Sequence, residues 1–347
     1  MKDIKEITNA IFCGNSGMLI RELPAESVDC CITSPPYWNL RDYGVEGQNG
    51  NESDYRDYLA RLWNLFDGVQ DALKPTGTLW VNLGDTYTGG GGASGHTSET
   101  KNFGRTTISY GAVATGGRVP SGMKPKCLCM IPERFAIRMV ERGWILRNTI
   151  IWHKPNCMPA SVTDRFTVDF EPVYFFTKKE HYYFEQQYEP IAESTIRRGK
   201  VDYGGAKGRE YKKSIAPTDP NFRNGNEQWG RTFDYTVSCK NGRNKRAVWR
   251  ITTKPFSGAH FAVFPEKLIE PMVKAGCPPG GIVLDPFMGS GTTCMVAKRL
   301  GRAYCGIDLK PEYVEMARQR INGIPERLDS YVSHPPQVET QAKRGVA

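Results

Sequence analysis

The stretch that most narrows the fold lies near the end of the 347-residue chain. Residues 281–284 read as a short buried strand. It runs straight into Asp285-Pro286-Phe287-Met288-Gly289-Ser290-Gly291-Thr292-Thr293, a glycine turn that opens a helix over residues 292–300. A second strand at 302–307 and a second helix at 311–321 follow, and the patterned part of the chain ends there. Two strand–helix units are half of a doubly wound sheet, and half a sheet cannot bury its own faces. The missing strands must come from the N-terminal part. The expected fold is therefore α/β with a Rossmann-like sheet, circularly permuted relative to folds that begin with their glycine loop.

The N-terminal part has the elements to supply. Residues 11–13 form a short apolar strand that ends at Gly14-Asn15-Ser16, and a short helix follows at 17–23. Residues 28–33 (VDCCIT) lack polar alternation, as expected of a strand covered on both faces. That strand stops at Ser34-Pro35-Pro36-Tyr37-Trp38, because two prolines cannot continue a central strand. Residues 54–73 carry Tyr58, Leu59, Leu62, Trp63, Leu65, Phe66 and Val69 at helical spacing, and Lys74-Pro75-Thr76-Gly77 is expected to end that helix. A strand at 78–83, a helix at 131–141 and two antiparallel strands at 144–152 and 172–177 follow. Residues 86–123 are rich in Gly, Ser and Thr, and read either as a linker or as a lid.

Charge is distributed unevenly. The net charge is +9. Residues 191–250 hold fourteen Lys or Arg against six Asp or Glu, so nearly all of the excess sits in one segment. Aromatic residues (Tyr203, Tyr211, Phe222, Trp229, Phe233, Tyr235 and Trp249) are interleaved with it. A basic, aromatic, loop-rich segment suits a nucleic-acid surface. The candidate contacts are Arg197, Arg198, Lys212, Lys213, Arg243, Lys245 and Arg246. No apolar run reaches the length of a membrane span, and the first ten residues have no apolar core of a secretory signal. The ten cysteines lack paired zinc spacing and read as reduced thiols in a cytoplasmic protein, with no metal site.

The glycine turn makes its own chemical statement. Gly289 and Gly291 permit tight backbone geometry and close approach of a ligand. The following strand ends at Asp308, where a carboxylate can accept hydrogen bonds from ribose hydroxyls. A dinucleotide fingerprint would place a third Gly or Ala at Cys294, and a phosphate loop would place a Lys after the glycines. Neither is present. Asp285 before the turn repels phosphate and suits a ligand bearing positive charge, such as the sulfonium and ammonium groups of S-adenosylmethionine.

Ser34-Pro35-Pro36-Tyr37 suits the other half of a methyl transfer. An exocyclic base amine is a poor nucleophile, because its lone pair is delocalised into the ring. Acceptors against its two N–H bonds favour a tetrahedral nitrogen and stabilise the positive charge that develops. Ser34 Oγ is one such acceptor. The Pro35 carbonyl, held in direction by Pro36, is the other. Tyr37 offers a ring on which an extruded base can stack.

TSPPYW at 33–38, followed far downstream by DPFMGSGTT at 285–293, resembles the β class of S-adenosylmethionine-dependent DNA amino-methyltransferases. The resemblance covers most of residues 11–321. It implies a methyltransferase sheet with a catalytic half (1–188), an inserted target-recognition region (189–250), a cofactor-binding half (251–325) and a polar tail (326–347). It implies that Phe287, Gly289, Gly291 and the helix-opening Thr292 line the cofactor pocket beside Asp285. Asp308 would hold the ribose, and Phe264 in His260–Pro265 would lie against the methionine part. Gly14-Asn15 stands where the family usually has Gly-Asp, so Asn15 would present a neutral acceptor to the adenine amino group. Residues 151–156 (IWHKPN) resemble the segment near the flipped base. Relatives with Ser-Pro-Pro-Tyr mostly resemble cytosine-N4 enzymes and those with Asp-Pro-Pro-Tyr adenine-N6 enzymes, so Ser34 favours cytosine N4 in double-stranded DNA. Adenine N6, RNA methylation, and a non-catalytic protein that binds both cofactor and DNA are the alternatives. A cognate restriction endonuclease is a partner the resemblance admits. The oligomeric state is not legible.

Overall fold

Strand β2 (Val28–Thr33) is buried at every residue, and the rest of the fold is arranged to cover it. The computed structural model describes residues 2–40, 44–89, 119–160, 162–192, 200–202, 232–234, 242–253 and 265–324. The chain forms two compact units, one of Met1–Glu185 with Ala247–Ala347 and one of Gln186–Arg246.

The larger unit is built on an eight-stranded sheet. Its strands are β1 (Ala10–Cys13), β2, β3 (Leu73–Asn82), β4 (Ile145–His153), β5 (Phe170–Thr177), β10 (Val248–Arg250), β11 (Ile282–Asp285) and β12 (Ala303–Asp308). Their spatial order is β1-β12-β11-β2-β3-β5-β4-β10. The two C-terminal strands are flanked by N-terminal ones: β1 pairs parallel with β12, and β11 lies parallel between β12 and β2. The C-terminal strand–helix units thus find their missing neighbours in the N-terminal segment. Beyond β3 the pairing turns antiparallel through β5 and β4.

The helices divide between the two faces. Side chains alternate across a strand, so Leu79 and Val81 of β3 join one core and Trp80 joins the other. Helices α1 (Ile4–Ile7), α2 (Ser16–Leu19), α3 (Tyr55–Ala72) and α4 (Ile131–Glu141) lie on the first face, with Leu59, Leu62, Phe66 and Phe135 fully buried. Helices α5 (Glu266–Gly276), α6 (Thr292–Arg299) and α7 (Pro311–Asn322) cover the second with Leu268, Met272, Val296 and Ala317. Trp80 stacks on Phe175 at 4.0 Å between ring centroids. Asp54 caps α3 by accepting from Arg56 N.

Helix α3 closes at Ala72, so Lys74-Pro75-Thr76-Gly77 does end it as expected. β3 begins at Leu73, and its pairing with β2 passes from Val28–Leu73 to Cys30–Thr78, so the proline lies in an irregular stretch where its missing N–H breaks no ladder. One expectation is corrected. Val248–Arg250, which fell within the basic segment, is an edge strand parallel to β4.

The smaller unit holds two short antiparallel pairs, β6 (Tyr188–Glu189) with β9 (Arg243–Asn244), and β7 (Lys200–Asp202) with β8 (Thr232–Asp234). No helix among the described residues is long and apolar enough to cross a membrane. Nine cysteines are described and all are unpaired, and six of them are buried. No cluster of metal-ligating side chains occurs among the described residues.

Candidate active site

Five strands, β1, β12, β11, β2 and β3, run parallel, so their C-terminal ends share one edge of the sheet. Ligand sites in open α/β sheets form at that edge. Asn15, Asp308, Asp285, Ser34 and Asp85 end or follow the five strands in that spatial order. The two sequence motifs, 252 residues apart, meet there. The Thr33 hydroxyl at the end of β2 donates to Asp285 Oδ1 at the end of β11, at 2.7 Å.

The β11 end is a carboxylate site. Asp285 is 1% exposed, and its neutral donors are Thr33 Oγ1 and the Phe287 N–H, at 3.1 Å. Burial raises its pKa to about 6, against the pull of Thr293 and Thr33. Asp308 straddles the next turn. Its Oδ2 accepts from Gly289 N and its Oδ1 from Lys310 N, both at 2.9 Å, and burial also holds its carboxyl above the usual range. The Ser16 hydroxyl donates to the Pro286 carbonyl at 2.5 Å and ties α2 to the same turn. Two desolvated carboxylates side by side make a strong demand for positive charge.

The remaining cofactor-side candidates divide by role. Gly289 and Gly291 both have positive φ, 51° and 79°. A Cβ on Gly291 would lie 2.7 Å from Ala317 Cβ, so this glycine brings α6 against α7. Thr292 is buried and accepts from Arg320 of α7 at 3.2 Å. Phe287 is partly buried against the first core. Asn15 caps α2, its Oδ1 accepting from Met18 N at 3.3 Å. Phe264 lies outside the described residues.

The β2 end is a hydroxyl site. Tyr37 does more than present a ring. Its hydroxyl lies 2.9 Å from Asn82 Oδ1 and 2.7 Å from Glu171 Oε2. The Ser34 hydroxyl donates to the Tyr37 oxygen at 3.4 Å. Burial first, and then the Glu171 charge, push the Tyr37 phenol well above its ordinary pKa, so it stays protonated. The ring rests on Gly84, where any Cβ would stand 2.4 Å from Tyr37 Cε2. The Pro36 carbonyl accepts from Tyr58 at 2.8 Å, which fixes the loop to α3. Trp38 is buried and donates from Nε1 to the Glu52 carbonyl at 2.9 Å.

Glu171, Asn82 and Gly84 are candidate site residues that sequence reading did not single out, and Lys154 belongs to the 151–156 segment that it did. Lys154 Nζ pairs with Glu171 Oε1 and stands 4.4 Å from the Trp152 ring centroid. His153 Nε2 lies 3.3 Å from Asp169 Oδ2. The 151–156 segment therefore braces the Ser34 loop through Glu171. Asp85, beyond the end of β3, accepts from the N–H groups of Met130 and Ile131 and anchors the start of α4.

Of the basic candidates, Arg243 and Arg246 both bind Glu189 Oε1, at 2.8 and 2.6 Å. Lys245 donates its backbone N–H to the Gln187 carbonyl. Arg197, Arg198, Lys212 and Lys213 lie outside the described residues, as do most of the 86–123 segment and the 326–347 tail.

A sheet edge that sets buried carboxylates beside a Ser-Pro-Pro-Tyr loop is the arrangement expected of a methyltransferase, and comparison with known proteins shows that class. The N6_N4_Mtase family model, described as DNA methylase, matches residues 28–319. The type II methyltransferase M.Cfr9I of Citrobacter freundii is 40% identical over 313 residues, covering 90% of this chain and 87% of that one. M.SmaI of Serratia marcescens is 39% identical over 311 residues, 90% of each chain. Two solved structures share the fold. One is PvuII DNA methyltransferase (cytosine-N4-specific), with TM-score 0.57 and 20% identity over 92% of this chain and 89% of that one. The other is a Thermus thermophilus protein complexed with S-adenosyl-L-methionine, with TM-score 0.53 and 21% identity over 90% and 93%. The chain belongs to the DNA methylase family and is a DNA methyltransferase of the N4/N6 amino type.

Proposed function

We propose that the protein transfers a methyl group from S-adenosylmethionine to cytosine N4 in a specific sequence of double-stranded DNA. The observation that carries this reading is the Thr33–Asp285 hydrogen bond, which holds an acceptor loop and a cation-seeking turn at one sheet edge. S-adenosylmethionine, when bound, supplies an electrophilic methyl group. Asp285 and Asp308 fit it, since a ligand with sulfonium and ammonium charges relieves two buried carboxylates, and Asp308 has lone pairs for ribose hydroxyls.

The chain's own contribution at the base is acceptor placement. Ser34 Oγ and the Pro35 carbonyl face the two N–H bonds of the extruded amine, and each favours the tetrahedral nitrogen that attacks. Pro36 keeps the loop's direction and Tyr37 its floor. The resemblance of Ser34-Pro35-Pro36-Tyr37 to the motif of cytosine-N4 relatives favours cytosine N4, and adenine N6 is the second reading for the same geometry. The basic segment 191–250, with Arg197, Arg198, Lys212, Lys213, Arg243, Lys245 and Arg246 as candidate contacts, would meet the duplex backbone. The pairing of a type II methyltransferase with a cognate endonuclease belongs to the same proposal. The test is to digest DNA methylated by the purified protein and identify the modified nucleoside by mass. N4-methylcytosine is expected, and N6-methyladenine would overturn the choice of base.

A further inference from the structure

Three polar groups, Tyr37, Glu171 and Lys154, run in series behind Ser34 with Asn82 beside them, and their donor and acceptor capacities constrain the arrangement. Glu171 is acceptor-only when ionised, and it forms an ion pair with Lys154 in which both side chains are less than one-fifth exposed. Asn82 spends its Nδ2 donor on the Pro172 carbonyl at 3.0 Å, which turns Oδ1 toward Tyr37. The Tyr37 hydroxyl thus meets two acceptors, at 2.7 and 2.9 Å, and no donor from either. Its single hydrogen is spent on this side, toward one of the two or shared between them. Its oxygen is left to accept, and the group placed to donate to it is the Ser34 hydroxyl, at 3.4 Å. With its hydrogen turned inward, Ser34 presents only lone pairs outward.

We infer that Glu171, held by Lys154, is a positioning residue that fixes Ser34 as an acceptor toward the target amine by way of Tyr37. This rests on the reading of Ser34 as the acceptor for an exocyclic N–H. A serine hydroxyl alone is ambidextrous: pointed outward, its hydrogen would meet the N–H hydrogens of the amine and oppose attack. A carboxylate two hydroxyls away removes that ambiguity and leaves the contact group neutral. The polarity also strengthens the acceptor, because each bond in such a series polarises the next.

Single-turnover methyl transfer by the full-length protein on its target duplex tests the inference. Tyr37→Phe cuts the series while keeping the ring on Gly84. Glu171→Gln replaces an acceptor-only group by one that can also donate to Tyr37. Each is expected to slow transfer by about ten- to a hundredfold, with affinities for S-adenosylmethionine and duplex unchanged. The double variant is expected to be no slower than the slower single one, because both break the same series. Glu171→Asp restores an acceptor-only group and is expected to recover part of the rate. A wild-type rate for Tyr37→Phe overturns the inference even if Glu171→Gln fails to fold. Fully multiplicative losses, or parallel loss of cofactor affinity, also overturn it. If the wild-type product is N6-methyladenine, the choice of base fails while the series from Glu171 to Ser34 stands or falls on the same variants. A wild-type protein that transfers no methyl group to DNA overturns both readings.

Discussion

The ends of β2 and β11 are neighbours joined by one hydrogen bond, yet they are electrostatic opposites. At β11 and β12 the carboxylates themselves end the strands, desolvated and raised in pKa, with neutral donors on Asp285 and the Lys310 charge near Asp308. At β2 the contact group is a neutral hydroxyl and the carboxylate is set back behind Tyr37, already neutralised by Lys154. Under the proposed function, the difference follows the charge of what each side would meet. A permanent cation is best met by an anion at contact distance. An amine that becomes cationic only during reaction needs an acceptor that does not bind it tightly beforehand.

The largest expected separation between the two ends is in turnover. Ser34→Ala is expected to lower single-turnover transfer by about a hundred- to a thousandfold and leave S-adenosylmethionine affinity within about twofold, measured by stopped-flow and calorimetry. Equal losses in both quantities would mean that the two ends are one cofactor site. The mirror experiment is Asp308→Ala. It removes the acceptor of Gly289 N and Lys310 N and is expected to weaken cofactor binding by about ten- to a hundredfold, with a smaller effect on transfer at saturation.

A pH titration sharpens the contrast further. The folded pKa of Asp285, about 6, lies above that of an exposed carboxyl. Its contribution to the stability of the cofactor-free protein is therefore present at low pH and lost as pH rises through about 6, where the buried group must ionise. A cationic ligand gains from the ionised form, so cofactor affinity is expected to rise by about tenfold as pH increases between about 5 and about 7. Asp285→Asn should flatten that rise. An affinity that falls across the same window would contradict the cation-seeking role.

Much of this was legible before any coordinates. The VDCCIT run, the glycine turn and the helix at Ile131–Glu141 are local patterns, and each element formed where its periodicity placed it. The shared edge was legible too, because half a sheet demanded partners. What could not be read are relations between residues far apart in sequence. Glu171 lies 134 residues from Tyr37, and reaches it only because β5 crosses antiparallel beside β3. In the sequence Glu171 is one polar residue at the start of an apolar strand. Gly84 likewise reads as a turn glycine, and its reason, the Tyr37 ring, appears only with packing. Gly291 and Thr292 look like ligand-lining residues by motif, while their neighbours Ala317 and Arg320 tie them to helix packing.

The most direct measurement of the central claim is the affinity of a compound that covalently joins the adenosine end of the cofactor to cytosine N4 through a short link. A single crevice predicts that it binds more tightly than S-adenosylhomocysteine, is displaced by both S-adenosylmethionine and target duplex, and is weakened by Ser34→Ala and Asp308→Ala alike. Binding no tighter than S-adenosylhomocysteine, and indifferent to Ser34→Ala, would contradict it.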